Sequence, residues 1–454
     1  MTMVLAASTS PHGGDAPPQH SIGRRTPRFR RAVVTGLAAV GVVVALATPV
    51  AAAPVGVPIL PGGQVITWGA PWWLADEPAP PTGQTYTAIA AGLSYSLALT
   101  SSGQVVAWGE NGKGQSAVPA PPAGQTYTAV AAGAFHALAL TSAGQVAAWG
   151  DNGAGQTTVP TPPAGQTYTA VAAGGYHSLA LTSSGQVIAW GAWGGSGNGQ
   201  TTVPTPPAGQ TYTAIAAGAY HSMALTSSGQ VIAWGDNRDG MTTVPAPPAG
   251  QTYTAIAAGA AHSLALTSAG QVISWGVNLY GQTDVPAPPA GQTYAAIAAG
   301  GSHSLALTSS GQVVAWGKPD NGRTDVPAPP TGQTYTAIAA GDVHSVAVAS
   351  TPLQAPAITG TPPAATTGKP YTHAFTVTGN PTPVVTVIDP AMLPPGMTFT
   401  DGVLSGTPTT AGEYTFILKA SNGVNPDPTL AVTVTVTDAP NTGVGGSGSL
   451  GFGS

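Results

Sequence analysis

The 454-residue chain has no cysteine, which excludes disulfides and thiolate metal ligands. Charged residues make up only 6% of it, against about 25% in ordinary globular proteins. Catalytic schemes built on clustered carboxylates, lysines and histidines therefore have little to draw on. The sequence shows no Ser-His-Asp motif, no glycine loop set after a strand to hold phosphate, and no paired-carboxylate signature. Basic residues are scarcest: beyond Ala52, six face fifteen acidic ones, a formal charge of −9. Nucleic acid requires a basic face and is not an expected partner. What the chain has in quantity is glycine (62) and proline (45), with 43% apolar residues, too many for a disordered tract.

The other five basic residues, Arg24, Arg25, Arg28, Arg30 and Arg31, precede an apolar stretch from Ala32 to Ala47. Val50-Ala51-Ala52 follows with the small residues of a cleavage site, so residues 1–52 read as a removable export signal. An uncleaved membrane anchor is the alternative. The arginine pairs fit twin-arginine export only in part, and the long segment before them leaves the true start open.

A period of about 41 residues organises the next part of the chain. Gly-Gln-Val-x-x-Trp-Gly recurs with its Trp at 68, 108, 149, 190, 234, 275 and 316, and Ala-Gly-x-x-His-Ser-Leu-Ala-Leu or a near variant lies between. In the unit from Gln186, the pattern predicts strands over Gln186–Trp190, Thr201–Pro204, Thr211–Ala217 and His221–Thr226. Four short antiparallel strands per unit describe a propeller blade. The array opens on a lone Gln64–Trp68 strand and ends on a lone His344–Val348 strand. Those halves complete each other if the array closes, which removes an exposed sheet edge. The expected fold is all-β: a closed seven-bladed propeller over 60–350.

Trp149-Gly150-Asp151-Asn152-Gly153-Ala154-Gly155-Gln156-Thr157-Thr158-Val159-Pro160, with the Ala-Gly-x-x-His-Ser-Leu-Ala-Leu motif, resembles the regulator-of-chromosome-condensation repeat family. The short period is most similar to its secreted bacterial branch, typified by the propeller-type β-lactamase inhibitor protein. That resemblance implies a non-enzymatic protein that binds a partner through rim loops, and no contact residue transfers from it. The Pro-Pro-Ala-Gly-Gln connectors depart from the inhibitor's pattern.

A meander sorts the connections onto two rims. The loops after Trp-Gly and the Ala-Gly-x-x-His turns share one; the Ser-Ser-Gly and Pro-Pro-x-Gly-Gln turns share the other, uncharged and nearly identical in every unit. On the variable rim lie Trp72, Trp73, Phe135, Tyr176, Trp193, Tyr220 and Tyr280, with charges that include Asp236, Asp239 and Asp342. Exposed aromatics among sparse charges suit protein hot spots or sugar stacking. Trp72, Trp73, Phe135, Tyr176, Trp193, Tyr220, Tyr280, Asp236 and Asp239 are accordingly the expected partner contacts. His136, His177, His221, His262, His303 and His344 share a strand face with leucines, which predicts packing between blades rather than a metal ring. Asp236–Gly240 and Asp320–Gly322 lack full calcium-ligand spacing and read as Asx turns. No metal, cofactor or catalytic set is expected.

After a Pro352–Pro356 linker, the composition shifts to Thr, Val and Pro. Strands are predicted at Tyr371–Val377, Val384–Ile388, Glu413–Ala420 and Thr429–Val436. Leu393–Phe399, Gly402–Pro408 and Thr410–Phe416 resemble the immunoglobulin-like modules of bacterial surface and secreted proteins, which implies a β-sandwich over 351–438. Residues 439–454 read as a flexible tail. Together these features predict a secreted protein whose partner is an extracellular protein or a cell-wall glycan. A membrane enters only if the signal is retained. An enzyme site in the central channel is the remaining alternative.

Overall fold

A computed structural model describes residues 63–69, 77–192 and 198–440. The expected signal, the 439–454 tail beyond Pro440, and Trp72, Trp73 and Trp193 lie outside the described residues.

Residues 64–350 form seven three-stranded antiparallel sheets. In the third, Tyr168–Ala173 pairs with His177–Thr182, which pairs with Val187–Gly191. The middle strand is buried along its whole length because sheets cover both its faces. Its Leu179 and Leu181 pack on Tyr212, Ile215 and Trp234 of the next blade. The same packing recurs between successive blades, so the core is divided among the interfaces. Gln64–Trp68 pairs with Ser345–Ser350 over five residues, joining the first strand of the array to its last. Asp342 N–H bonds Gly92 O at 3.1 Å and His344 Nε2 lies 2.7 Å from Ser96 Oγ, so the last blade also touches the first.

Each blade has three strands, not the four expected. Thr201–Pro204 and its equivalents are extended without a ladder. Proline supplies no N–H to a sheet, and the segment is held by side chains instead. Tyr212 Oη donates to Pro204 O at 2.9 Å, and Val203 packs on the neighbouring core. A register shift between Tyr212 and Ala214 accompanies the buried tyrosine, and the same bulge recurs in the other blades.

Residues 354–437 form two-, three- and four-stranded sheets around a core of Leu404, Phe416, Leu418, Val432 and Val434. The predicted Tyr371–Val377 strand is divided: Tyr371–Ala374 and Thr376–Asn380 enter different sheets, with buried Phe375 at the break. Gly412–Ser421 and Thr429–Thr437 form the long central hairpin.

Candidate binding rim

Strand register fixes which loops share an end. Tyr95 opposes Gly109, so the Gly92–Ser94 turn and the loop after Trp108-Gly109 emerge together. Tyr86 opposes Thr100 at the far end, where the Ser-Ser-Gly turn and the proline connector lie. The far end carries repeated neutral contacts: Ser102 Oγ donates to Gln84 at 2.6 Å, and Ser184, Ser228 and Ser310 do the same to Gln166, Gln210 and Gln292.

Under the variable rim lies a buried belt. His136 Nε2 is 2.9 Å from Ser178 Oγ of the next blade, and that hydroxyl donates to Gln156 O at 2.8 Å. Trp190 Nε1 donates to the same carbonyl at 2.9 Å. Serine has one proton and the carbonyl takes it, so the imidazole must donate through Nε2–H. Each ring is then neutral, with a bare Nδ1 that has no partner among the described residues. The relay recurs from His177 through Ser222 to Gln200 O, and from His221, His262 and His303 in the same way. Burial holds His136, His221 and His344 down at about 4, and His177 and His262 at about 3. His303 is lowered as well, first by burial and then by nearby Arg323. His136, His177, His221, His262 and His303 are interblade hydrogen-bond donors.

One joint departs from the rule. Tyr95 stands where other blades have histidine, and its hydroxyl donates to the main-chain oxygen of His136. The serine that would have met a histidine is absent there, because position 137 is alanine. The longer side chain spans both groups. The missing serine was legible in the sequence as a paired exception, and only the interblade geometry gives it meaning.

The rings seat against the turn glycines. A Cβ on Gly174 would overlap both the His177 ring and the carbonyl of Gly218. Beside these glycines, main-chain N–H groups reach across blades: Gly175 to Gly218 O at 3.1 Å, Ala260 to Gly300 O at 3.1 Å and Gly301 to Gly341 O at 3.2 Å. The turns thus enclose a central cavity of about 260 Å³, walled mostly by alanine and glycine.

Of the expected contacts, the structure brings three together. Phe135, Tyr176 and Tyr220 occupy the same turn position in successive blades, with ring centroids 6.5 Å apart in each neighbouring pair and interplanar angles of 41° and 34°. Tyr220 is 42% exposed. Tyr176 and Tyr220 also edge the central cavity. Tyr280 is exposed on a separate loop, with Lys318 Nζ 4.8 Å from its ring centroid. Asp239 is exposed. Asp236 corrects the expectation: it is buried, and Arg238 and Asn198 take its oxygens. Its carboxyl is held below the usual range chiefly by the Arg238 hydrogen bond. Sequence position put Asp236 in a variable loop, but the loop folds the carboxylate under its own arginine. Asp342 has the rim position the sequence gives it but is not among the expected contacts, because its place on the cavity wall depends on the assembled blades.

The family model for the regulator of chromosome condensation (RCC1) repeat matches residues 86–115, 127–156, 168–200, 212–240, 253–282 and 294–323. No curated protein matches the sequence. Among solved structures, Prp20p from Saccharomyces cerevisiae is 20% identical with a TM-score of 0.54, over 64% of this chain and 92% of that one. Yeast RCC1 (Prp20) bound to Kap60 is 21% identical, with a TM-score of 0.54, over 72% and 97% of the two chains. Human WBSCR16 is 20% identical, with a TM-score of 0.52, over 64% and 99%. At these identities the likeness concerns the fold. The chain carries six RCC1 repeats in an RCC1-like propeller.

Proposed function

We propose that this chain is an exported, non-enzymatic binding protein, a propeller of seven blades closed into one ring and joined to an immunoglobulin-like sandwich. Its partner is an extracellular protein held on the variable rim. The observation that carries this reading is the run of Phe135, Tyr176 and Tyr220 in successive blades, with the two tyrosines edging the central cavity. Tyr220 is exposed and Phe135 and Tyr176 beside it are half-buried, and adjacent aromatic rings held this way supply large contact area at low entropic cost, as binding hot spots do. Tyr280 and Asp239 extend the surface, and Trp72, Trp73 and Trp193 fall on loops of the same rim in the sequence. Prp20p has binding properties toward Gsp1p and histones, and yeast RCC1 has been seen bound to Kap60, so similar propellers serve as protein-binding platforms.

The test is capture of partners from the native medium and cell wall. Phe135→Ala with Tyr176→Ala and Tyr220→Ala is expected to reduce capture by at least tenfold, with a small change in melting temperature. Undiminished capture, or unfolding of the variant, would remove these rings from the contact set. Retention on peptidoglycan or polysaccharide, with no captured protein, would assign the same rings to glycan stacking. Inhibition of a β-lactamase would make that enzyme the partner and place this chain in the inhibitor branch. Mass spectrometry of the medium reads the export proposal directly, as a chain beginning after Ala52.

A further inference from the structure

The first variable residue of each Ala-Gly-x-x-His turn stands on the wall of the central cavity. That position is Leu93 in one blade and alanine or glycine in five. In the seventh it is Asp342, which brings the only charge to the described lining. The carboxylate has a seat made for it in the neighbouring blade: a Cβ on Gly301 would overlap Asp342 Oδ1. Two cations stand near, and both are engaged elsewhere. Arg323 donates to the main-chain oxygens of Asp320 and Asp342 at 2.9 Å each, and Lys318 Nζ lies 2.7 Å from the Asp320 carboxylate. No described residue forms an ion pair or hydrogen bond with the Asp342 carboxylate. Burial raises its pKa, and Arg323 and then Lys318 oppose that shift.

We propose that this mouth receives one lysine side chain from the protein partner, with its methylene stem along the alanine and glycine wall and its ammonium on the Asp342 carboxylate. This deepens the rim reading and rests on it. At about 260 Å³ the cavity lies below the roughly 300–1,000 Å³ of pockets for drug-sized ligands, and it suits a single side chain. Its chemistry is amphipathic in the way lysine is: an apolar sleeve with one point charge. Lysine's ammonium is a compact point charge on a flexible apolar stem, which suits a lone carboxylate reached along an apolar wall. Tyr176 and Tyr220, on the same lining, place π systems where an incoming cation passes.

The experiment is calorimetric titration of the full chain with the peptide acetyl-Gly-Lys-Gly-amide and its norleucine counterpart, at low and high salt. The lysine peptide is expected to bind at least fivefold more tightly than the norleucine peptide, with the difference shrinking in high salt. Asp342→Asn, which removes a charge that no described residue pairs with, is expected to keep the melting temperature. It should weaken the lysine peptide about tenfold, because the ammonium then meets a neutral amide instead of a carboxylate. Equal affinity for the two peptides, no binding of the lysine peptide, or unchanged binding by Asp342→Asn would each overturn the proposal. Tighter binding of n-butylammonium than of the peptide would assign the mouth to free amines and overturn it too. Partner capture separates this inference from the rim reading. If the aromatic variant fails to capture and Asp342→Asn still captures, only the lysine pocket is removed; capture by both variants removes the rim as well.

Discussion

Within one five-residue turn, two regions of this molecule obey opposite rules. The glycine and histidine of Ala-Gly-x-x-His form the interblade belt, and they change at only one joint, where Tyr95 stands for histidine. The two residues between them form the mouth and its aromatic edge, and they range from glycine to tyrosine and aspartate. The difference is one of confinement. A belt side chain must meet the next blade within a fraction of an ångström, so one solution recurs at every joint but that of Tyr95. A mouth side chain meets solvent on one side, and the fold places few demands on it.

The belt breaks hardest at its glycines. Gly218→Val puts a branched side chain into the His221 ring and the Gly259 carbonyl, atoms that cannot yield without moving two blades. The expected loss is above about 3 kcal/mol, read as failure to fold or a drop of many degrees in thermal melting. Gly175, one residue along the equivalent turn, faces Ala219 at 3.0 Å or more and is expected to accept alanine at far lower cost.

Acid tests the whole belt at once. Burial holds the folded pKa values of His136, His177, His221, His262 and His344 at about 3 to 4, below the ordinary 6.5, and lowers that of His303 as well. Between pH 6.5 and about 4 the unfolded chain binds protons that the folded chain refuses. Stability is therefore full above pH 6.5 and falls as the pH drops toward 4. Urea midpoints at pH 7, 6 and 5 are expected to decline with a proton uptake on unfolding that approaches six. A flat profile over that range would mean that the rings are charged or exposed.

The smallest effect is the most discriminating. His177→Tyr with Ser222→Ala rebuilds, at another joint, the solution found at Tyr95 and Ala137. Each single change leaves a clash or an unpaired group, and each is expected to cost about 1–3 kcal/mol. The double variant should recover a coupling of about 0.5–3 kcal/mol in a double-mutant cycle. Additive losses would show that the Tyr95 joint depends on something beyond its partner.

Much of this architecture was legible because it is written seven times. The recurring Trp, the hairpin turns, the middle strands and the pairing of Gln64–Trp68 with the end of the array all follow from local pattern. The fourth strand failed because an extended Thr-Val-Pro run reads as a strand, whereas its prolines cannot join a ladder. Asp236 failed because its loop brings Arg238 back over it, an ion pair no periodicity reports. The histidines pack between blades as the pattern predicts, but the serine that each one meets lies 42 or 45 residues along the chain, or 248 residues back for His344.

By itself, then, the sequence determined the unit, its strand order, the composition of its two rims and the positions where variation is allowed, because those properties repeat within a span of about 41 residues. The tertiary structure alone decided that Phe135, Tyr176 and Tyr220 become neighbours, that Asp236 is buried, and that Asp342 stands over Gly301 with no ion-pair partner among the described residues. These facts concern distances between blades. Such distances come from packing whole sheets around a common centre, which brings together residues that no local period connects.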